Sequence, residues 1–130
     1  MWVKSPSSTP YTWANAIMKD STNGGAIPTT KCGYGDWRLP NKLEIKSLVN
    51  YGAATTSADW LMYGSGSSGF PVCNGTCFGN VPAGSYWSSS TYALLPSYAW
   101  EVNFGGAGGG SVNGFLKTDN RYVWPVRGGQ

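Results

Sequence analysis

The hydrophobic period changes once along this chain, and that change limits the fold more than any other feature. Before Gly52 the apolar spacing is helical. In "TPYTWANAIMKD", Trp13, Ala16 and Ile17 fall at i, i+3 and i+4 behind Thr12 as a candidate cap. In "LPNKLEIKSLVNYG", Asn41 and Glu44 have capping-box spacing, Ile45, Leu48 and Val49 form the apolar face, and Gly52 is the expected stop. From Ser85 onward the period is two, through "SYWSSS", "AWEVNF", "GFLK" and "YVWPV". Trp100, Val102 and Phe104 alternate there with Glu101 and Asn103, which predicts an inner and an outer sheet face. Helices followed by an antiparallel meander give the α+β class. The 130 residues fit one domain, 1–130. Met1, Trp2 and Val3 read as a strand already under way, so a cut from a longer chain is expected.

Two stretches carry no period. Residues 52 to 84 are full of turn formers and too long for a simple connector, and loops of that length tend to be functional or to hold local structure. The "GGAGGG" run, Gly105 to Gly110, lacks the Lys-Ser/Thr of a phosphate loop and reads as a long hairpin connection. "GSGSSG", Gly64 to Gly69, spells G-x-G-x-x-G, yet no strand leads into it and "FPVC" follows instead of a helix. Loops therefore dominate, and 7 Trp and 8 Tyr supply the anchors that distinguish this chain from a disordered one.

Charge and chemistry narrow the function classes. The net charge of +3 is spread without a run of Lys or Arg, so nucleic acid is not an expected partner. No stretch approaches the roughly 20 apolar residues of a membrane span, so direct membrane insertion is not expected. With no histidine, the Ser-His-Asp, Cys-His and His-zinc systems are absent. Asp20, Asp36, Glu44, Asp59, Glu101 and Asp119 are dispersed singly. The expectation is a non-catalytic protein with no cofactor and no metal. Cys73 and Cys77 frame "CNGTC", whose spacing fits either a small disulfide loop, implying an oxidising compartment, or reduced thiols. "NGT" at Asn74 fits a glycosylation acceptor, a match common by chance.

The ordered set "MWVK", "TWANAI", "GYGDWRLPNKLEIKSLV", "YWSSSTY", "AWEVNF" and "YVWPVRGG" resembles the Lcl C-terminal domain family, named for a bacterial collagen-like adhesin. The resemblance implies a C-type-lectin-like fold with paired N- and C-terminal strands, shared with formylglycine-generating enzymes and with the variable proteins of diversity-generating retroelements. It implies an extracellular or cell-surface ligand-binding domain. This chain has no cysteine after Cys77, so formylglycine-generating activity does not carry over. Lys117, Arg121 and Arg127 are the only cations after Lys46, too few for the adhesin's basic trimer surface. In the retroelement proteins, the diversified positions lie on the segment matching Tyr86 to Arg127.

Framework and ligand-facing residues separate by position. Asp36 to Pro40 read as structural, with Arg38 paired to Asp36 or Glu44, and so do Trp87 and Ser88 to Ser90. The closing "YVWPV" is expected to lie beside "MWVK", with Arg127 as an anchor and Gly128 to Gln130 frayed. Candidate binding residues are Tyr92 and Tyr98, with Leu94 and Leu95 between them, and then Asn113, Phe115, Lys117, Asp119, Asn120 and Arg121 in the last hairpin. The ligand would be a protein or a glycan. The competing expectation is a structural or homotrimer-forming cap that buries the same aromatics.

Overall fold

The computed structural model describes residues 1–19, 21–49, 51, 78–105 and 110–128. Five elements organise them: α1 (Trp13–Ile17), α2 (Lys42–Lys46), β1 (Ser85–Thr91), β2 (Tyr98–Asn103) and β3 (Ser111–Leu116), with a 3₁₀ turn at Ser21–Asn23. The strands form one antiparallel sheet in the order β1-β2-β3, so the chain is α+β. Cys73, Cys77 and Gly52 lie outside the described residues. Cys32, in a tight turn closed by hydrogen bonds between Lys31 and Tyr34, is an exposed free thiol.

Both helices are shorter than their apolar period. The Asn41 side chain accepts from the Glu44 N–H at 2.9 Å while the Glu44 carboxylate accepts from the Asn41 N–H at 2.8 Å, completing the expected capping box. α2 stops at Lys46 because its last turn tightens: Leu48 and Val49 bond back to Ile45 and Lys46, three residues away. Ile45 and Val49 still enter the core. In α1 the Thr12 side chain makes no cap bond, and Ile17, expected on the buried face, is 43% exposed. Five residues complete barely more than one turn, so only Ala16 is fully covered.

The sheet is covered on both faces over β1 and β2, which overturns the predicted alternation. Val102 and Phe104 are buried, but so is Glu101, at 2% exposure, and Trp100 is only half-buried. The Ser85 hydroxyl and the Arg121 guanidinium receive that carboxylate, which is how a charge stands inside. β1 carries extra residues between Trp87 and Thr91. In that bulge the Ser88 hydroxyl donates to the Trp100 carbonyl at 2.8 Å, and the Ser90 hydroxyl accepts from the Lys42 N–H at 3.0 Å. The serines replace missing ladder bonds and tie the sheet to α2.

The closing stretch forms no ladder strand. Isolated bridges join Tyr122 to Tyr86, and Val126 to both Trp2 and Arg38. The ends of the chain do meet: the Val3 N–H donates to the Pro125 carbonyl at 3.0 Å, and the Arg127 N–H to the Met1 carbonyl at 2.8 Å. Pro125 gives up no bond there, because only its carbonyl is used. Gly128, expected to fray, accepts from Arg38 at 2.9 Å, while residues 129–130 lie outside the description.

Tryptophans fix these long-range contacts. Trp124 is fully buried, donates Nε1–H to the Val3 carbonyl at 2.8 Å, and meets Phe78, Trp2, Tyr86 and Phe104 at ring separations of 4.8 to 6.0 Å. Trp87 donates to the Tyr11 carbonyl at 2.9 Å and Trp13 to the Ser88 carbonyl at 2.8 Å. Each indole thus buries apolar area and satisfies a carbonyl in the same contact. Burial pushes the Tyr86 phenol well above its ordinary range, so it stays a neutral donor, to the Pro82 carbonyl at 2.8 Å.

Candidate functional site

The candidate residues divide between a surface pocket and an internal charge network. Tyr92, Leu95, Tyr98 and Gly114 line a pocket of about 190 Å³ where the 92–98 loop folds over β2 and β3. The loop is held by its own backbone: the Leu95 N–H donates to the Tyr92 carbonyl at 3.1 Å, Tyr98 to Leu95 at 2.8 Å, and Tyr92 to Tyr98 at 2.9 Å. Tyr92 packs on Trp100 with ring centroids 4.7 Å apart, and the Lys42 ammonium lies 4.2 Å from the Trp100 ring. Gly114 makes this possible, since a Cβ there would stand 3.0 Å from the Tyr92 ring. A glycine inside a strand is the signal in the sequence for such an approach.

Apolar side chains surround the pocket. Leu94 is 82% and Leu95 49% exposed, and Leu116 is also open to solvent, whereas Phe115 alternates to the other face of β3, where Arg121 lies over its ring. Asn113, exposed on β3, spends its amide on the Ser111 hydroxyl at 3.0 Å. Asn120 is exposed, and its carbonyl accepts from Arg121 at 2.8 Å.

Lys117, Asp119 and Arg121 have internal partners. The Lys117 ammonium sits 4.0 Å from the Trp13 ring centroid and donates to the Thr91 hydroxyl at 3.0 Å. Arg121 pairs with Glu101, reaches Asp119 at 3.5 Å, and stacks on Phe115 at 4.6 Å. Its backbone bonds both ways with Tyr11, so this arginine ties β2 and the last hairpin to the N-terminal segment. The eight candidates thus do not converge on one point: the two tyrosines share the pocket, whereas the charged three serve contacts within the fold.

The "DWRLP" motif resolves into two ion pairs. Arg38 takes Glu44, not Asp36, through two bonds of 2.8 and 2.6 Å, and Asp36 takes Arg127 at 2.7 and 3.1 Å. Arg127 also lies 3.5 Å from the Tyr34 ring centroid, which fulfils its expected anchoring role. Hydrogen bonding to these arginines holds the Glu44 and Asp36 carboxyls below the usual range. Lowered carboxyls add stability above their unfolded values, and that stability is lost as pH falls through the folded ones. The urea midpoint should stay level from neutrality down to about pH 5 and drop below about pH 4, with Glu44→Gln flattening part of the drop. A midpoint that rises on acidification would contradict this.

No group of three or more metal-ligating side chains occurs among the described residues, and no helix among them is long and apolar enough to cross a membrane. Comparison with curated proteins and with solved structures gave no match. A sequence model of the Lcl C-terminal domain matches residues 1–127, nearly the whole of the chain whose "DWRLP", "YWSSS" and "VWPVR" segments have just been located. The chain belongs to the Lcl C-terminal domain family.

Proposed function

We propose that this domain is a non-catalytic binding module with a C-type-lectin-like arrangement, displayed at the cell surface or outside the cell. Its ligand, a protein or a glycan, meets the 92–98 loop and β3. The observation that carries the reading is the pocket of Tyr92, Leu95, Tyr98 and Gly114, bordered by exposed Leu94 and Leu116 on a frame of paired strands. At about 190 Å³ it is smaller than the about 300–1,000 Å³ that encloses a whole small molecule, so it receives one side chain or one sugar face. Joined chain ends and loops held over a sheet support the lectin-like arrangement and the kinship with retroelement variable proteins. Charge steering contributes little, because Arg38, Arg121 and Arg127 are committed to ion pairs.

The same exposed leucines support a second reading, a homotrimeric cap in which a neighbouring copy covers them. Protein and glycan arrays probed with the wild-type domain and with a Leu94→Ser/Leu95→Ser variant test the first. Binding should weaken at least about tenfold, as for loss of apolar contacts at an interface core, with the melting temperature nearly unchanged. A stable trimer in sedimentation that turns monomeric in the same variant would replace the free surface with the cap.

A further inference from the structure

β3 ends the sheet, and its outer edge is open among the described residues. The strand pairs with β2 in unbroken register, from Leu116 opposite Tyr98 to Ser111 opposite Asn103. The phase of that ladder is set just beyond its end, where the Lys117 N–H donates to the Ser97 carbonyl at 2.9 Å. At alternate positions Phe115, Asn113 and Ser111 therefore spend their backbone groups on β2, while those of Val112, Gly114 and Leu116 point away from the sheet. The Leu116 carbonyl accepts from the Asp119 N–H at 2.9 Å. The other outward groups, three N–H donors and two carbonyls, have no hydrogen-bond partner among the described residues.

The two edges of the sheet are treated differently. β1 is bulged between Trp87 and Thr91, and its outer side is bonded: the Trp87 N–H donates to the Tyr122 carbonyl at 3.0 Å and the Ser89 N–H to the Pro40 carbonyl at 2.8 Å. Open edges are ordinarily guarded against pairing by a charge, a proline or a bulge. "SVNGFL" has no charge and no proline, and its register carries no shift. The side chains beside it are arranged to match. Val112, Gly114 and Leu116 share one face with Trp100, which Tyr92 covers. Gly114 also lines the pocket of Tyr92, Leu95 and Tyr98, so unpaired backbone groups and a side-chain pocket meet at one residue.

We infer that the ligand of this pocket is an extended peptide segment of a partner protein, which adds a fourth strand along β3 and sets one apolar side chain beside Gly114. The inference rests on the reading of the 92–98 pocket as a binding site and narrows it to one class of ligand. An extended backbone presents a donor and an acceptor together at every second residue, about 7 Å apart, which is the spacing of the open edge. Backbone pairing supplies affinity whatever the sequence, and alternate side chains supply the choice. The residue opposite Gly114 projects on the pocket face, where about 190 Å³ takes one branched or aromatic side chain. Its neighbours point to the other face, beside exposed Asn113, which suits polar residues. The preferred segment thus alternates apolar and polar residues and carries little charge.

The test is selection of random linear heptapeptides on phage against the domain, followed by NMR of the isotope-labelled domain with the enriched sequences as synthetic peptides. Enriched peptides should alternate apolar and polar residues, shift Tyr92 and Tyr98, and slow hydrogen exchange at the Val112, Gly114 and Leu116 amides at least about tenfold. Methylating the peptide nitrogens that face β3 should weaken binding at least about tenfold, and methylating the alternate ones should not. The domain is unaltered throughout, so its folding does not enter. Peptides that shift the tyrosines without protecting those amides would overturn strand addition and leave the pocket a binding site. Failure to enrich any peptide, while an array glycan binds at Tyr92 and Tyr98, would overturn the peptide class alone. If neither peptide nor glycan reaches the tyrosines, the pocket reading falls as well. Amides already protected in the free domain, and released on dilution, would give the edge to a second copy and overturn the proposal.

Discussion

Arg121→Ala is expected to destabilise the domain by about 3–5 kcal/mol, the cost of removing one partner from a buried ion pair. Glu101 is 2% exposed, and once the guanidinium is gone its carboxylate keeps only the Ser85 hydroxyl. The stacking of Arg121 on Phe115 and Trp87 is lost in the same step, as is the close tie to β2. For a domain of this size the melting temperature should fall by roughly 10–15 °C. Urea denaturation of Arg121→Ala, Glu101→Gln and the double variant checks the mechanism. The double variant should be less damaged than the sum of the singles, because the penalty lies in leaving one charge alone. If Arg121→Ala instead keeps full stability and abolishes ligand binding, Arg121 belongs to the binding surface and not to the frame.

Trp124→Ala should cost about as much or more. Truncating a fully buried indole removes about 3–5 kcal/mol of packing, and here it also strands the Val3 carbonyl that Nε1–H satisfies. Four aromatic neighbours, Phe78, Trp2, Tyr86 and Phe104, lose their common contact. Against a total of about 5–15 kcal/mol, such a loss populates the unfolded chain at ambient temperature. Near-ultraviolet circular dichroism should collapse in Trp124→Ala. Trp124→Phe, which keeps an aromatic ring and loses the hydrogen bond, should retain the signal at a cost of about 1–3 kcal/mol. A Trp124→Ala protein with native near-ultraviolet dichroism would show that the cluster is peripheral.

What was legible in the sequence was local. The Asn41–Glu44 capping box needs three residues of spacing and nothing else, so it could be read directly, and the turn signals around β1 to β3 likewise marked real strands. Glu101 was assigned to the solvent side because period-two alternation assumes one wet face. That assumption fails where α2 packs on one side of the sheet while Arg121 and the N-terminal segment close over the other. Asp36 was two residues from Arg38 and a natural partner by spacing, yet it pairs with Arg127, 91 positions away. Distance along the chain hid the partners of two candidate binding residues in the same manner. Lys117 and Arg121 read as free hairpin cations, and their partners Trp13, Thr91 and Glu101 come from distant stretches of chain. Distance hid a surface groove in the same way, since "SPSST" and "PTTK" come to line it together only after folding.

The indole hydrogen bonds have a further consequence, in the order of events by which the chain reaches its native state. Those of Trp13, Trp87 and Trp124 span 75, 76 and 121 residues, and the Val123 N–H to Ser7 bond spans 116. Contacts of such separation are entropically costly to close, and chains dominated by them fold slowly, over milliseconds to seconds. During synthesis, residues 1–11 emerge long before their partners at 121–127 exist. Until then Trp2, Val3 and Trp13 have no core to enter, and the nascent chain carries exposed aromatics that a chaperone would bind. Residues 121–127 are the ones that release it.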